Sequence, residues 1–185
     1  MGVKITLIGA GSAIFSLNLI KDLCLTPRLE GSTVCLMDIN AARLESTYAL
    51  CRRYAGELGR KLSINKTLDR REALRGADFV IYTALAGSHD HLREGWTVAR
   101  RLGYRFGGSL HIMHDEAFWI NFYQLRLMES IVRDVLEICP GAWLVMVANP
   151  ILAGVTFLKR KYPSLKLVGM CHGYGGVFSL AARIR

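Results

Sequence analysis

The sequence predicts a doubly wound α/β domain, a parallel sheet wrapped by helices. Three observations predict it. Short β-rich apolar runs alternate with longer amphipathic segments along the 185 residues. Two of those runs, FVIYTAL and WLVMVAN, are apolar throughout instead of alternating, the pattern of strands covered on both faces. The first run, KITLI, empties into the glycine turn LIGAGSAIFS.

In chain order the apolar runs place strands near residues 3–8, 33–37, 62–66, 78–83, 143–148 and 165–170. The amphipathic segments place helices near 13–25, 41–59, 89–102, 115–138 and 151–161. Residues 1–185 read as one domain, since a chain of this length buries roughly two thirds of its unfolded surface and two full domains would be cramped. An uncharged run of 21 residues, Ile138 to Leu158, has the length of a membrane span. Pro140, Gly141, Asn149 and Pro150 divide it into a strand, a turn and a helix start, so no membrane partner is expected.

Half of the residues are hydrophobic and 21% are charged, which excludes a disordered tail. The formal net charge of +9 would suit a polyanionic partner. The basic residues are dispersed, however: CRRYAGELGRK and DRREALR interleave Arg and Lys with acids at helical spacing, as solvated helix faces do. No specific nucleic-acid partner is expected. Cys24, Cys35, Cys51, Cys139 and Cys171 are odd in number, scattered and without a CxxC pair, a pattern of reduced thiols. The start MGVKITLIGAG reads straight into a strand without the layout of a secretory signal, and a cytoplasmic location follows as the expectation.

Ligands of such sheets gather at the carboxyl ends of the strands, so the residues after each strand carry the functional reading. Gly9 permits a tight turn, Gly11 lets the backbone approach a pyrophosphate, and Ser12 opens a helix whose free N–H groups attract anions. The third glycine of such loops serves close packing of helix and strand; here Ile14 stands in its place. The second strand ends VCLMDIN, and Asp38, 29 residues after Gly9, can accept both hydroxyls of an adenosine ribose while repelling a 2′-phosphate. This is the pattern of a Rossmann-like site for NAD rather than NADP. Thr83, Ala84 and Ala86 leave room for a nicotinamide ribose.

His89 and His91 open a helix, where their spacing does not let them share a metal, and they read as solvent-facing. His111 and His114 invite the same reading. Asp115 is either a helix N-cap or a carboxylate facing the ligand. Two strand ends are sharper: MVANPILAG places Asn149 before a proline, and LVGMCHGYGG places Cys171 and His172 at the end of the last strand, where a thiolate and an imidazole could engage a divalent ion and a substrate.

The succession KITLIGAGSAIFS, GSTVCLMDI, ADFVIYTALAGSH, AWLVMVANPI and VGMCHG resembles glycoside hydrolase family 4, the NAD- and metal-dependent glycosidases, in its α-glucosidase and α-galacturonase branch. The resemblance implies that Gly9, Gly11, Ser12 and Asp38 serve NAD, to which the strand-end reading adds Thr83, that Cys171 is a metal ligand, and that Asn149, Asp115 and His172 contact the sugar, His172 also as an acid for the leaving oxygen. It implies a small-molecule α-glycoside as substrate, a divalent metal, Mn²⁺ in most members, and a homo-oligomer in full-length form. The reaction implied is oxidation at the sugar C3, elimination across C2 and C1, addition of water and return of the hydride, with the metal as Lewis acid.

The same resemblance implies a second half that supplies another metal-binding His, the base for the C2 proton and most of the sugar pocket. The expectation is therefore a Rossmann-like sheet truncated before that half, holding the start of the sugar and metal site at its carboxyl edge. Two alternatives stand beside the glycosidase: a non-catalytic NAD-binding remnant, and a 2-hydroxy acid dehydrogenase of the lactate and malate type. The dehydrogenases share the glycine loop and a late Asn-Pro, but their Arg-rich substrate loop and downstream catalytic His are not recognisable here.

Overall fold

A computed structural model describes residues 2–86, 89–105 and 118–170, with the backbone alone for 89–92 and 118–121. Six parallel strands form one sheet in the order β3-β2-β1-β4-β5-β6: β1 Lys4–Ile8, β2 Thr33–Met37, β3 Ser63–Thr67, β4 Phe79–Tyr82, β5 Trp143–Met146 and β6 Leu167–Gly169. The helices are α1 Ala13–Leu25, α2 Ala41–Glu57, α3 Arg70–Leu74, α4 His89–Arg101, α5 Phe118–Ile138 and α6 Ile151–Lys161, with a 3-10 turn at Pro27–Leu29. This is the doubly wound sheet that the sequence predicts. After β3 the chain returns to the far side of β1, so the strand order reverses between β1 and β4, the place where such sheets open a crevice.

Alternation along the strands divides the core in two. One face joins Cys35, Met37, Val80, Tyr82, Leu144 and Met146 to α3, α5 and α6. The other joins Ile5, Leu7, Val34 and Leu36 to α1 and α2. The two apolar strands do not have both faces covered by the described residues. Val80, Tyr82, Leu144 and Met146 are buried, whereas Phe79 and Trp143 on the opposite face are 36% and 45% exposed. On that face the cluster of α1 and α2 reaches β4 only at the partly buried Ile81 and includes no residue of β5. The 21-residue uncharged run resolves into β5 and α6. Among the described residues no helix is long and apolar enough to cross a membrane.

Helix α3 escapes the periodicity reading because five residues hold little more than one turn. Local capping and distant charge define it instead. Asp69 accepts the amides of Arg71 at 2.8 Å and Glu72 at 3.3 Å. Ala73 and Leu74 turn inward, and the buried Thr6 hydroxyl donates to the Ala73 carbonyl at 2.7 Å. Two basic residues of DRREALR, Arg70 and Arg71, reach across to α5 instead of only facing solvent. Arg70 Nε and Arg71 Nη1 meet the two oxygens of Asp134 on α5 at 2.7 and 2.8 Å, and Arg71 also pairs with Glu137. In CRRYAGELGRK the expectation holds for Arg53 and Glu57, an exposed pair one turn apart.

A second ionic cluster fastens α6 to α5. Glu129 Oε1 accepts from Arg133 at 2.7 Å, Lys161 at 2.8 Å and the Tyr162 hydroxyl at 3.0 Å. Those bonds, from Lys161 first, push its carboxyl down to about 2. A carboxyl whose folded value lies below its unfolded value of 4.5 adds stability above about pH 4.5 and loses it as pH falls toward about 2. Urea midpoints of Glu129→Gln should therefore lie below the wild type by a constant gap at neutral pH, and the gap should close between about pH 4.5 and 2. A gap that persists at the acid end contradicts the assignment.

Cys24, Cys35, Cys51 and Cys139 are free and buried. Burial raises all four thiols, Cys51 to about 11. Inert thiols follow, because the thiolate is the reactive form. A disulfide reagent at about pH 8 should leave these four unmodified until denaturant is added, with peptide mapping as the check. Rapid modification of any of them in the folded chain contradicts the packing described.

Candidate active site

The carboxyl edge is assembled by backbone hydrogen bonds between neighbouring strand exits. Gly9 and Ala10 both donate to the Met37 carbonyl at the end of β2, at 2.9 and 3.0 Å. On the other side, the Thr83 amide donates to the Ile8 carbonyl at 2.9 Å, and the Thr83 hydroxyl lies 3.1 Å from the Ile8 oxygen and 3.2 Å from that of Gly9. The glycine turn is thus held between the exits of β2 and β4. Gly9 has φ +95°, and a Cβ there would stand 2.5 Å from the Ala84 nitrogen, so both conformation and space require glycine.

Gly11 is required for a reason the sequence does not display. Its amide donates to Asp38 Oδ2 at 2.7 Å, and a Cβ at Gly11 would meet that carboxylate at 2.8 to 2.9 Å. Oδ1 of Asp38 accepts the Asn40 amide at 2.9 Å. Asp38 therefore fastens the loop to the start of α2 before any ligand arrives. A carboxylate has about four acceptor positions, so two remain for hydroxyls.

Ser12 is the N-cap of α1, and its side chain makes no capping bond. The first turn carries no acidic residue. The amides of Ala13 and Ile14, without partners inside the helix by its geometry, face the end of the glycine turn as donors for an anion. Ile14 is 76% exposed, so the side chain in place of the third glycine does not press on the sheet. The join between helix and loop is made by Ser16, buried one turn on, whose hydroxyl donates to the Ala10 carbonyl at 2.8 Å.

At the next exit, Val147 and Ala148 both donate to the Tyr82 carbonyl, at 3.0 and 3.1 Å, which brings Asn149 to the same edge. The Asn149–Pro150 peptide is cis. Asn149 lines a groove of about 440 Å³ with Pro150, Ile151, Leu152, Val155 and Gly169. At the last exit Met170 donates to the Met146 carbonyl at 2.9 Å, and Cys171 and His172 follow directly. Cys171 and His172 lie outside the described residues, as do Asp115, His111 and His114, while His89 and His91 begin α4 with their side chains undescribed. Among the described residues no three His, Cys, Asp or Glu side chains come together to hold a metal.

One contributor is invisible to motif reading. Gln124 of α5, fully buried, places its amide against the exit of β4, donating to the Tyr82 hydroxyl at 2.8 Å and the Ala84 carbonyl at 2.9 Å and accepting the Ala86 amide at 2.6 Å. Burial keeps the Tyr82 phenol protonated far above neutral pH. The edge thus offers a preformed turn with helix donors at β1, a carboxylate at β2, an orienting hydroxyl at β4 and an amide at β5.

Comparison with known proteins shows the family and the fold. An alpha-glucosidase of Erwinia rhapontici is 33% identical over 175 residues, covering 93% of this chain and 38% of its own length. An alpha-galacturonidase of Thermoanaerobacter italicus is 27% identical over 190 residues, covering 98% of this chain and 39% of its own. A 6-phospho-alpha-glucosidase from gut microorganisms, solved in complex with NAD and Mn²⁺, superposes with a TM-score of 0.80 at 21% identity, over 92% of this chain and 39% of that one. The chain spans about two fifths of the length of the relatives it matches. The family model described as family 4 glycosyl hydrolase matches residues 4–184. The chain belongs to the family 4 glycosyl hydrolases.

Proposed function

We propose that this chain forms the NAD-binding part of a glycosidase that cleaves small α-glycosides. The observation that carries the reading is the Asp38 carboxylate bonded to the Gly11 amide beside the uncapped start of α1. That arrangement fits a dinucleotide. The remaining acceptor positions of Asp38 take the adenosine ribose hydroxyls, and its charge disfavours a 2′-phosphate, so NAD is preferred over NADP. The pyrophosphate rests on Ala13 and Ile14 beside Gly11 and Ser12, where helix amides and dipole favour an anion. Thr83, fixed to the Ile8 and Gly9 carbonyls, borders the nicotinamide ribose.

When bound, NAD⁺ supplies a hydride acceptor for the sugar C3, which makes the C2 proton acidic. On the protein side, Asn149 orients the sugar from the exit of β5, Asp115 contacts it, and His172 holds the proton for the leaving oxygen. Cys171 is the proposed ligand of a divalent metal, manganese as in the gut-microbial relative. The inventory of glucosidases and galacturonidases among the relatives supports a glucoside or a galacturonide as substrate. Buried, protonated thiols suit a reducing, cytoplasmic setting.

Calorimetry should show NAD⁺ binding to the 185-residue chain, weakened by about 1 to 3 kcal/mol in Asp38→Ala, the scale of hydrogen bonds to a charged group. Equal affinity in the two proteins removes Asp38 from the site. For the whole protein, cleavage of an aryl α-glycoside in D₂O should leave deuterium at C2 of the released sugar. Product without deuterium there contradicts the oxidation and elimination route.

A further inference from the structure

We propose that Gln124 is a positioning residue for the nicotinamide end of the dinucleotide, acting through the segment that leaves β4. The inference rests on the NAD-binding reading and adds a residue from outside the loop and the strand ends.

Strand β4 ends at Tyr82, and the Thr83 amide still bonds to β1. From Ala84 onward the segment has left the ladder, and among the described residues the Ala84 carbonyl and the Ala86 amide are bonded to Gln124. One side-chain amide thus receives a carbonyl at one position and an N–H two positions on, the spacing at which a neighbouring strand's backbone would receive them. The Gln124 amide extends the sheet by one pairing unit. Its orientation is set by chemistry: the Ala86 N–H can only donate and the Ala84 carbonyl can only accept, so oxygen and nitrogen take the positions observed. The second N–H of Gln124 goes to the Tyr82 hydroxyl, which fastens the amide to the buried face of β4.

The position held in this way matters because Ala84 is the atom group under which Gly9 fits, with a hypothetical Gly9 Cβ 2.5 to 2.9 Å from three Ala84 atoms. A shift of Ala84 to Ala86 by a few tenths of an ångström changes the wall next to the turn while leaving Asp38, Gly11 and the start of α1 in place. Those three are fixed by separate bonds: Asp38 by the Asn40 amide, Gly11 by its own amide to Asp38, and the start of α1 by the Ser16 hydroxyl to the Ala10 carbonyl. Gln124 therefore governs the nicotinamide half of the site and not the adenosine half.

ADP and NAD⁺ separate the two halves, since ADP engages only Asp38, the glycine turn and the start of α1. In Gln124→Met, which keeps length and apolar volume without hydrogen bonds, NAD⁺ should bind about tenfold more weakly and ADP within twofold of wild type. Gln124→Glu, which keeps the acceptor for Ala86, should fall between. A general structural role would weaken both ligands by the same factor, and that result, or unchanged NAD⁺ affinity, overturns the proposal. Wild-type protein that binds neither ADP nor NAD⁺ overturns the cofactor reading and this proposal with it. Hydrogen exchange on the wild type gives a check that needs no variant: the Ala86 amide should be protected to the level of the β4 amides, and rapid exchange there overturns the assignment.

Discussion

The Asp38 carboxylate, shared between the amides of Gly11 and Asn40, is the constraint around which the functional edge is built. It joins the glycine turn to the beginning of α2, and it works only because position 11 has no side chain. Gly9 closes the same turn from the other side by fitting beneath Ala84. A rigid backbone cradle results, with negative charge on one side and the amides of α1 on the other. Such preorganisation lowers the ordering cost of binding, because the donors and acceptors are already in place.

Much of this was legible in the sequence. Apolar runs separated by amphipathic ones place the six strands and all but one of the described helices within a few residues. The turn LIGAG and the strand end LMDIN bring the loop and its acid into one unit. Other features were not legible for definite physical reasons. Helix α3 is too short to show a period and depends on Arg70 and Arg71 reaching Asp134, more than sixty residues away. Phe79 and Trp143 have the apolar character of covered strands, yet both stay more than a third exposed among the described residues.

Ser16 and Gln124 illustrate a different limit. Neither belongs to a motif, and each acts by bonding to backbone groups, Ala10 in one case and Ala84 with Ala86 in the other. Ser16 lies within the loop's own helix, so a polar residue one turn after the glycines could have drawn notice. Gln124 lies 38 to 42 residues from its partners and looks like any polar residue of an amphipathic helix. Its place is created by the sheet, which sets α5 against the exit of β4. The dispersed basic charge has a similar origin: several cations join helix to helix, among them Arg70, Arg71 and Lys161.

The proposed division of labour puts the cofactor at the exits of β1, β2 and β4 and the sugar at those of β5 and β6. The most direct test of that account is a crystal structure of the chain with NAD⁺ bound. The account predicts both adenosine ribose hydroxyls within hydrogen-bond distance of the Asp38 carboxylate and the pyrophosphate over the first turn of α1. A dinucleotide bound elsewhere, or bound at this edge without contact to Asp38, would contradict it.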